Sequence, residues 1–210
     1  MVTRDTHTPH RHGWPDPDRT WWQGAAPHGS LPYGHAGKTI GQWGCTVCSL
    51  AAAARLAGAT AGATPSWLQA RAMRPEAGVW APGSSLAVLP ALARAADLTC
   101  PDVGDAWSVR ATKKRPAMTV REISVCICDT IDHHGLTAPV GFGWLHVDYT
   151  GDDVGEHWIL AYAYDEAWIY CYDSAVAGIV RLSRKTLTGA AQWGSVERWY
   201  RVVRGYPLGA

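Results

Sequence analysis

Hydrophobic positions change their rhythm near Pro139. Before that point the spacing is helical. Thr46 to Ala57 is apolar all round, which predicts a central buried helix closed by Gly58. Thr64-Pro65-Ser66 opens a second helix reaching about Met73, with Thr64 as N-cap and Pro65 in the first turn. A third helix runs from Ser84 or Ser85 to about Ala96, kinked at Pro90. Val120, Ile123, Ile127 and Ile131 recur at helical spacing and predict a helix over Thr119 to His133, although Ile123 to Ile127 also reads as a strand. After Pro139, five short β-branched and aromatic runs follow: Val140–Val147, His157–Tyr164, Ala167–Tyr172, Gly178–Leu182 and Arg198–Arg204. Turn residues such as Asp165-Glu166 and Asp173-Ser174 separate several of them. Helices first and strands second predict an α+β fold, with the helices packed on one side of a C-terminal antiparallel sheet.

Residues 14–204 read as one domain, preceded by a disordered His-rich tail over 1–13 and followed by a short tail over 205–210. The stretch from Trp14 to Thr39 has neither period and is expected to be irregular, pinned by its tryptophans. A hydrophobic fraction of 47% and 12 tryptophans can fill a core. The net charge of +1 gives no reason to expect a nucleic-acid or membrane partner, and Lys113-Lys114-Arg115 reads as a solvated loop. No signal peptide or membrane-length apolar run is legible, so the expected site of synthesis is the cytoplasm, with action outside it only after release by lysis. The 6 cysteines do not form a disulfide framework. Cys45-x-x-Cys48 lacks a second pair at zinc spacing, and Cys126-x-Cys128 is too close, so neither a metal nor a cofactor is expected.

Candidate chemistry concentrates in Gly41-Gln42-Trp43-Gly44-Cys45-Thr46-Val47-Cys48. Cys45 falls where a loop enters a buried helix, and unpaired N–H groups there favour a thiolate. His157 begins a hydrophobic strand and Asp173 ends the next one. Antiparallel pairing brings the start of the first beside the end of the second, which suits a carboxylate that orients an imidazole. A buried packing thiol, a strand-end histidine and a turn-forming aspartate are the plain alternatives.

The order Cys45, His157, Asp173 resembles the papain-like cysteine peptidases, and most closely their bacterial and phage branch similar to the bacteriocin-leader-processing peptidases. Thr39-Ile40-Gly41, Gly44-Cys45-Thr46-Val47 and Ser49-Leu50-Ala51 carry the resemblance, together with Thr64-Pro65, His157-Trp158-Ile159-Leu160 and Asp173-Ser174, over roughly Leu31 to Leu182. It implies a papain-like fold and acyl transfer through a Cys45 thioester, with His157 as base and Asp173 as its orienting acid. Gln42 and a backbone N–H would hold the oxyanion, and Trp43 and Trp158 are candidate substrate contacts. The family's oxyanion glutamine often lies six positions before the nucleophile. That position before Cys45 is Thr39 and before Cys48 is Gln42, so Cys48 also fits. The implied substrate is a peptide, a protein or a peptidoglycan cross-link. An acyltransferase on the same fold, an inactive binding module and a Cys45-x-x-Cys48 redox protein are rival readings.

Overall fold

Six antiparallel strands close on themselves in the computed structural model. The structure describes residues 10–11, 21–35, 37–58, 62–81, 87–100, 107–111, 115–133, 141–150, 156–176, 178–193 and 196–209. A two-residue strand β1 (His10–Arg11) comes first, then a hairpin of β2 (Pro32–Tyr33) and β3 (Lys38–Thr39). A single turn α1 (Ile40–Trp43) leads directly into α2 (Cys45–Leu56). Gly44 makes that junction possible, because a Cβ there would sit 2.4 Å from Ile40 Cγ2 and 2.6 Å from the Ile40 carbonyl oxygen. α3 (Pro65–Ala72) starts as its sequence demands, with Thr64 Oγ1 accepting the Trp67 N–H at 3.2 Å. α4 (Leu89–Ala95) is shorter than expected. Pro90 sits in its first turn, where a missing N–H is harmless, so the expected interior kink is absent. The expected start at Ser84 or Ser85 lies outside the described residues.

After β4 (Trp107–Ser108), helix α5 (Val120–His133) resolves the ambiguity at Ile123 to Ile127. A reciprocal cap decides it: the Thr119 N–H donates to Glu122 Oε2 at 2.7 Å, and the Glu122 N–H donates to Thr119 Oγ1 at 3.2 Å. The strands β5 (Gly141–Thr150), β6 (Glu156–Tyr164), β7 (Trp168–Asp173), β8 (Gly178–Ser183), β9 (Thr188–Trp193) and β10 (Val196–Gly209) follow. They pair in the order β6-β5-β10-β9-β8-β7, and β7 returns to β6. β1 adds to β6 and β4 to β10.

This closed barrel overturns the expected papain-like fold of helices on one side of an open C-terminal sheet. The strand that escaped notice makes the difference. β9 reads Thr-Gly-Ala-Ala-Gln-Trp, poor in β-branched residues, yet it pairs with both β10 and β8 and completes the ring. Register shifts at Ala161/Ala163 in β6 and Val202/Arg204 in β10 add the bends that closure requires. Two smaller corrections concern the ends. β10 runs on through Gly209 where a tail was expected from 205, and Tyr206 and Leu208 are buried. His10 and Arg11 form β1 inside the segment expected to be disordered, the rest of which lies outside the described residues.

Both faces of the sheet are buried, which explains why β6 reads as a continuous apolar run. One face carries Leu145, Val147, Ile159, Ala161, Cys171 and Tyr200, packed with Ile123, Ile127 and Ile131 of α5. The other carries Trp144, Leu160, Tyr162 and Tyr172, packed with Val47, Leu50 and the alanines of α2. At the seam, Gly189 pairs with Leu182 of β8 and Tyr200 of β10. A Cβ at Gly189 would lie 2.2 Å from the Arg181 carbonyl oxygen, a backbone atom that cannot swing away. Gly189→Ala is therefore expected to lower unfolding free energy by about 1–3 kcal/mol in a denaturant titration. A wild-type midpoint would mean that the seam is not tight there.

Candidate active site

The site assembles at one mouth of the barrel, from both ends of the chain. Cys45 is the first residue of α2, 9% exposed, with Sγ 3.9 Å from the Trp43 carbonyl oxygen. His157 is the second residue of β6 and Asp173 the last of β7. The His157 Nε2–H donates to Asp173 Oδ1 at 2.6 Å. That bond leaves Nδ1 as the ring nitrogen for the thiol, and His157 is hydrogen-bonded and electrostatically coupled to Cys45. Sequence reasoning thus brought Cys45, His157 and Asp173 to one place, and the structure brings them together there.

Asp173 is fully buried and heavily held. The Ala175 N–H donates to Oδ1 at 2.7 Å, and the Tyr200 hydroxyl donates to Oδ2 at 2.7 Å. Tyr200 stands on β10, across the barrel from β7 in the strand order. Closure of the sheet is what lets the opposite wall reach this carboxylate. No sequence signal pointed to Tyr200, because the partnership depends on a strand that was not legible.

Charges follow from these contacts. Burial alone would lower the His157 pKa; the Asp173 carboxylate, Cys45 and the hydrogen bonds to both raise it to about 10. Burial would raise the Asp173 pKa; the His157 charge, with the bonds from His157, Tyr200 and Ala175, lowers it on balance. Together these contacts favour the imidazolium form of His157. Cys48 lies one helical turn deeper, fully buried, and burial first, then Cys45, pushes its thiol well above the ordinary range. It does not line the cavity beside Cys45, so the alternative spacing that favoured Cys48 has no geometric support.

That cavity has a volume of about 790 Å³ and is lined by Trp22, Gln23, Tyr33, Gln42, Trp43, Cys45, His157 and Trp158, among others. Trp43 is 43% exposed, with the Lys38 ammonium 5.3 Å from its ring centroid, and Trp22 is 38% exposed. Trp158 is mostly core, its ring tilted 40° to that of Trp144 with centroids 4.5 Å apart, and it also lines the cavity. Trp14 lies outside the described residues, while Trp21 is buried and anchored by its Nε1–H to the Ala63 carbonyl oxygen at 3.1 Å.

Gln42 borders the cavity, but its Oε1 accepts the Thr39 N–H at 3.1 Å in the cap of α1. A second glutamine, which the sequence did not single out, is more firmly held. Gln23 is buried against the same cavity, its N–H donates to the Ser174 carbonyl oxygen at 2.9 Å, and its Nε2 donates to the Gly41 carbonyl oxygen at 3.2 Å. Those two bonds fix it between the turn after Asp173 and the helical turn α1 before Cys45. It lies in an irregular segment with no motif spacing to Cys45, so nothing in the sequence could flag it.

Among the described residues, no helix is long and apolar enough to cross a membrane, and no group of three or more His, Cys, Asp and Glu side chains is placed to hold a metal ion. No family model, curated protein or solved structure matches this chain.

Proposed function

We propose that this chain is a cysteine peptidase or amidohydrolase that cleaves a peptide or isopeptide bond through a thioester on Cys45. The observation that carries the reading is the buried Cys45–His157–Asp173–Tyr200 chain, which meets the cavity at Cys45 and His157. Such constellations are recognised by geometry and roles and recur on unrelated folds, so the barrel does not count against it. In the proposed reaction the Cys45 thiolate attacks the carbonyl carbon, and the carbonyl oxygen takes the electron pair. The imidazolium of His157 protonates the leaving amine as the C–N bond breaks. Water, deprotonated by His157, then attacks the thioester and releases the acid and the thiolate. Trp22, Trp43 and Tyr33 give the cavity aromatic walls suited to a peptide chain.

For the oxyanion, an N–H at the start of α2 supplies one donor, and we assign the second to the Gln23 Nε2 hydrogen that Gly41 does not engage, in preference to Gln42. Gln23→Ala should lower kcat by about 10²–10³-fold, while Gln42→Ala, which loses only a cap, should change it a few-fold. The reverse order would restore Gln42 to the site. The reading as a whole is tested by digesting a peptide library and purified peptidoglycan, with products read by mass spectrometry. Cleaved bonds that gain water are expected. Products joined to an added amine would make the enzyme an acyltransferase, and an intact library and intact peptidoglycan would refute the proposal.

A further inference from the structure

The cavity beside Cys45 carries positive charge that the thioester chemistry leaves unused. Arg198 and Arg204 both line it, against a single carboxylate, Glu156, among the described residues. Arg204 on β10 pairs with His146 on β5, and His146 pairs with Trp158 on β6. The three side chains thus form a row across three strands that ends one residue from His157. The Arg204 guanidinium carbon lies 5.6 Å from the centroid of the Trp158 ring, and its Nε is buried without a hydrogen-bond partner. A buried charged N–H without an acceptor is unfavourable, and the planar guanidinium fork matches a carboxylate. Burial first and the Arg204 charge second lower the pKa of His146. Its Nε2 faces Glu156 Oε2 at 3.2 Å.

We infer that Arg204, supported by Arg198, forms an anion subsite of this cavity, and that the preferred substrate carries a carboxylate close to the bond that is cut. The inference rests on the cysteine-hydrolase reading above. Strands lie about 4.8 Å apart, which puts β10 roughly 10 Å from β6. An extended peptide advances about 3.3–3.6 Å per residue, so the carboxylate falls within about three residues of the scissile bond. It is either an acidic side chain or a free terminal carboxyl.

The full chain is alkylated in parallel with iodoacetate, an anion, and iodoacetamide, its neutral analogue, and the rates at Cys45 are mapped by mass spectrometry. The iodoacetate-to-iodoacetamide rate ratio is expected to fall about tenfold in Arg204→Gln. It should fall at least threefold in Arg204→Lys, which keeps the charge and loses the fork; this variant decides the matter if Arg204→Gln does not fold. In fluorogenic tetrapeptides, an internal Glu and a free C-terminal carboxyl tested against its amide separate the two sources. At least one should raise kcat/KM about tenfold over its neutral counterpart, and Arg204→Gln should remove that gain through KM. An unchanged ratio in a folded variant overturns the subsite while leaving the hydrolase reading intact. Alkylation of Cys45 by both reagents no faster than in the unfolded chain overturns the hydrolase reading and the subsite with it.

Discussion

Cys45→Ala is expected to reduce hydrolysis of any cleaved peptide to background, a loss of roughly 10⁵–10⁶-fold, in line with removal of a catalytic nucleophile. The substitution deletes the only thiol that faces the cavity among the described residues, and so removes the covalent route entirely. The fold should survive it. Cys45 lies at a helix start, its neighbours Val47 and Leu50 keep their packing, and alanine is the best helix former. Cys48→Ala is the matched control. That side chain is fully buried and packs within the core around α2, so the variant should lose about 1–2 kcal/mol of stability and keep its turnover within a few-fold. Activity that persists in Cys45→Ala and vanishes in Cys48→Ala would move the nucleophile one helical turn and contradict the site geometry.

Asp173→Asn should slow turnover by about 10²–10⁴-fold, measured as kcat/KM on the same substrate. The carboxylate is the foremost of the groups that raise the His157 pKa. Without it burial, which acts downward, has less opposition, and the imidazolium is no longer favoured beside Cys45. Stability should fall as well, by about 3 kcal/mol, because a buried ion pair loses one partner and Tyr200 and Ala175 lose a charged acceptor. The pH dependence of stability carries the same signature. The folded His157 pKa lies above its ordinary 6.5, so its contribution is complete below that value and disappears as pH rises through about 10. The folded Asp173 pKa lies below its ordinary 3.8, so its contribution is present above that value and disappears as pH falls through the lowered one. In Asp173→Asn both limbs should flatten. An Asn variant with wild-type turnover would take Asp173 out of the site.

The parts of the site that could be read in the sequence are those set by local rules. A glycine before an alanine-rich helix placed Cys45, and hairpin pairing of two apolar runs placed His157 against Asp173. The parts that stayed hidden depend on long-range closure. β9 carries glycine and alanines where strand formers were expected, so the sheet looked open and Tyr200 had no visible partner. Gln23 belongs to a segment without period, and only its bonds to Gly41 and Ser174 show where it sits. Gln42 had the right residue type and lines the cavity, with its oxygen held by the Thr39 N–H in the α1 cap.

Reactivity of the thiols at pH 7 tests the central claim most directly. The native protein is treated with a limiting amount of iodoacetamide, and each cysteine is followed by peptide mapping. Cys45 should react well ahead of Cys48, faster than the same residue in the unfolded chain, and His157→Gln should remove that lead. Equal sluggishness at both positions, or a first reaction at Cys48, would contradict an activated thiol at the mouth of the barrel.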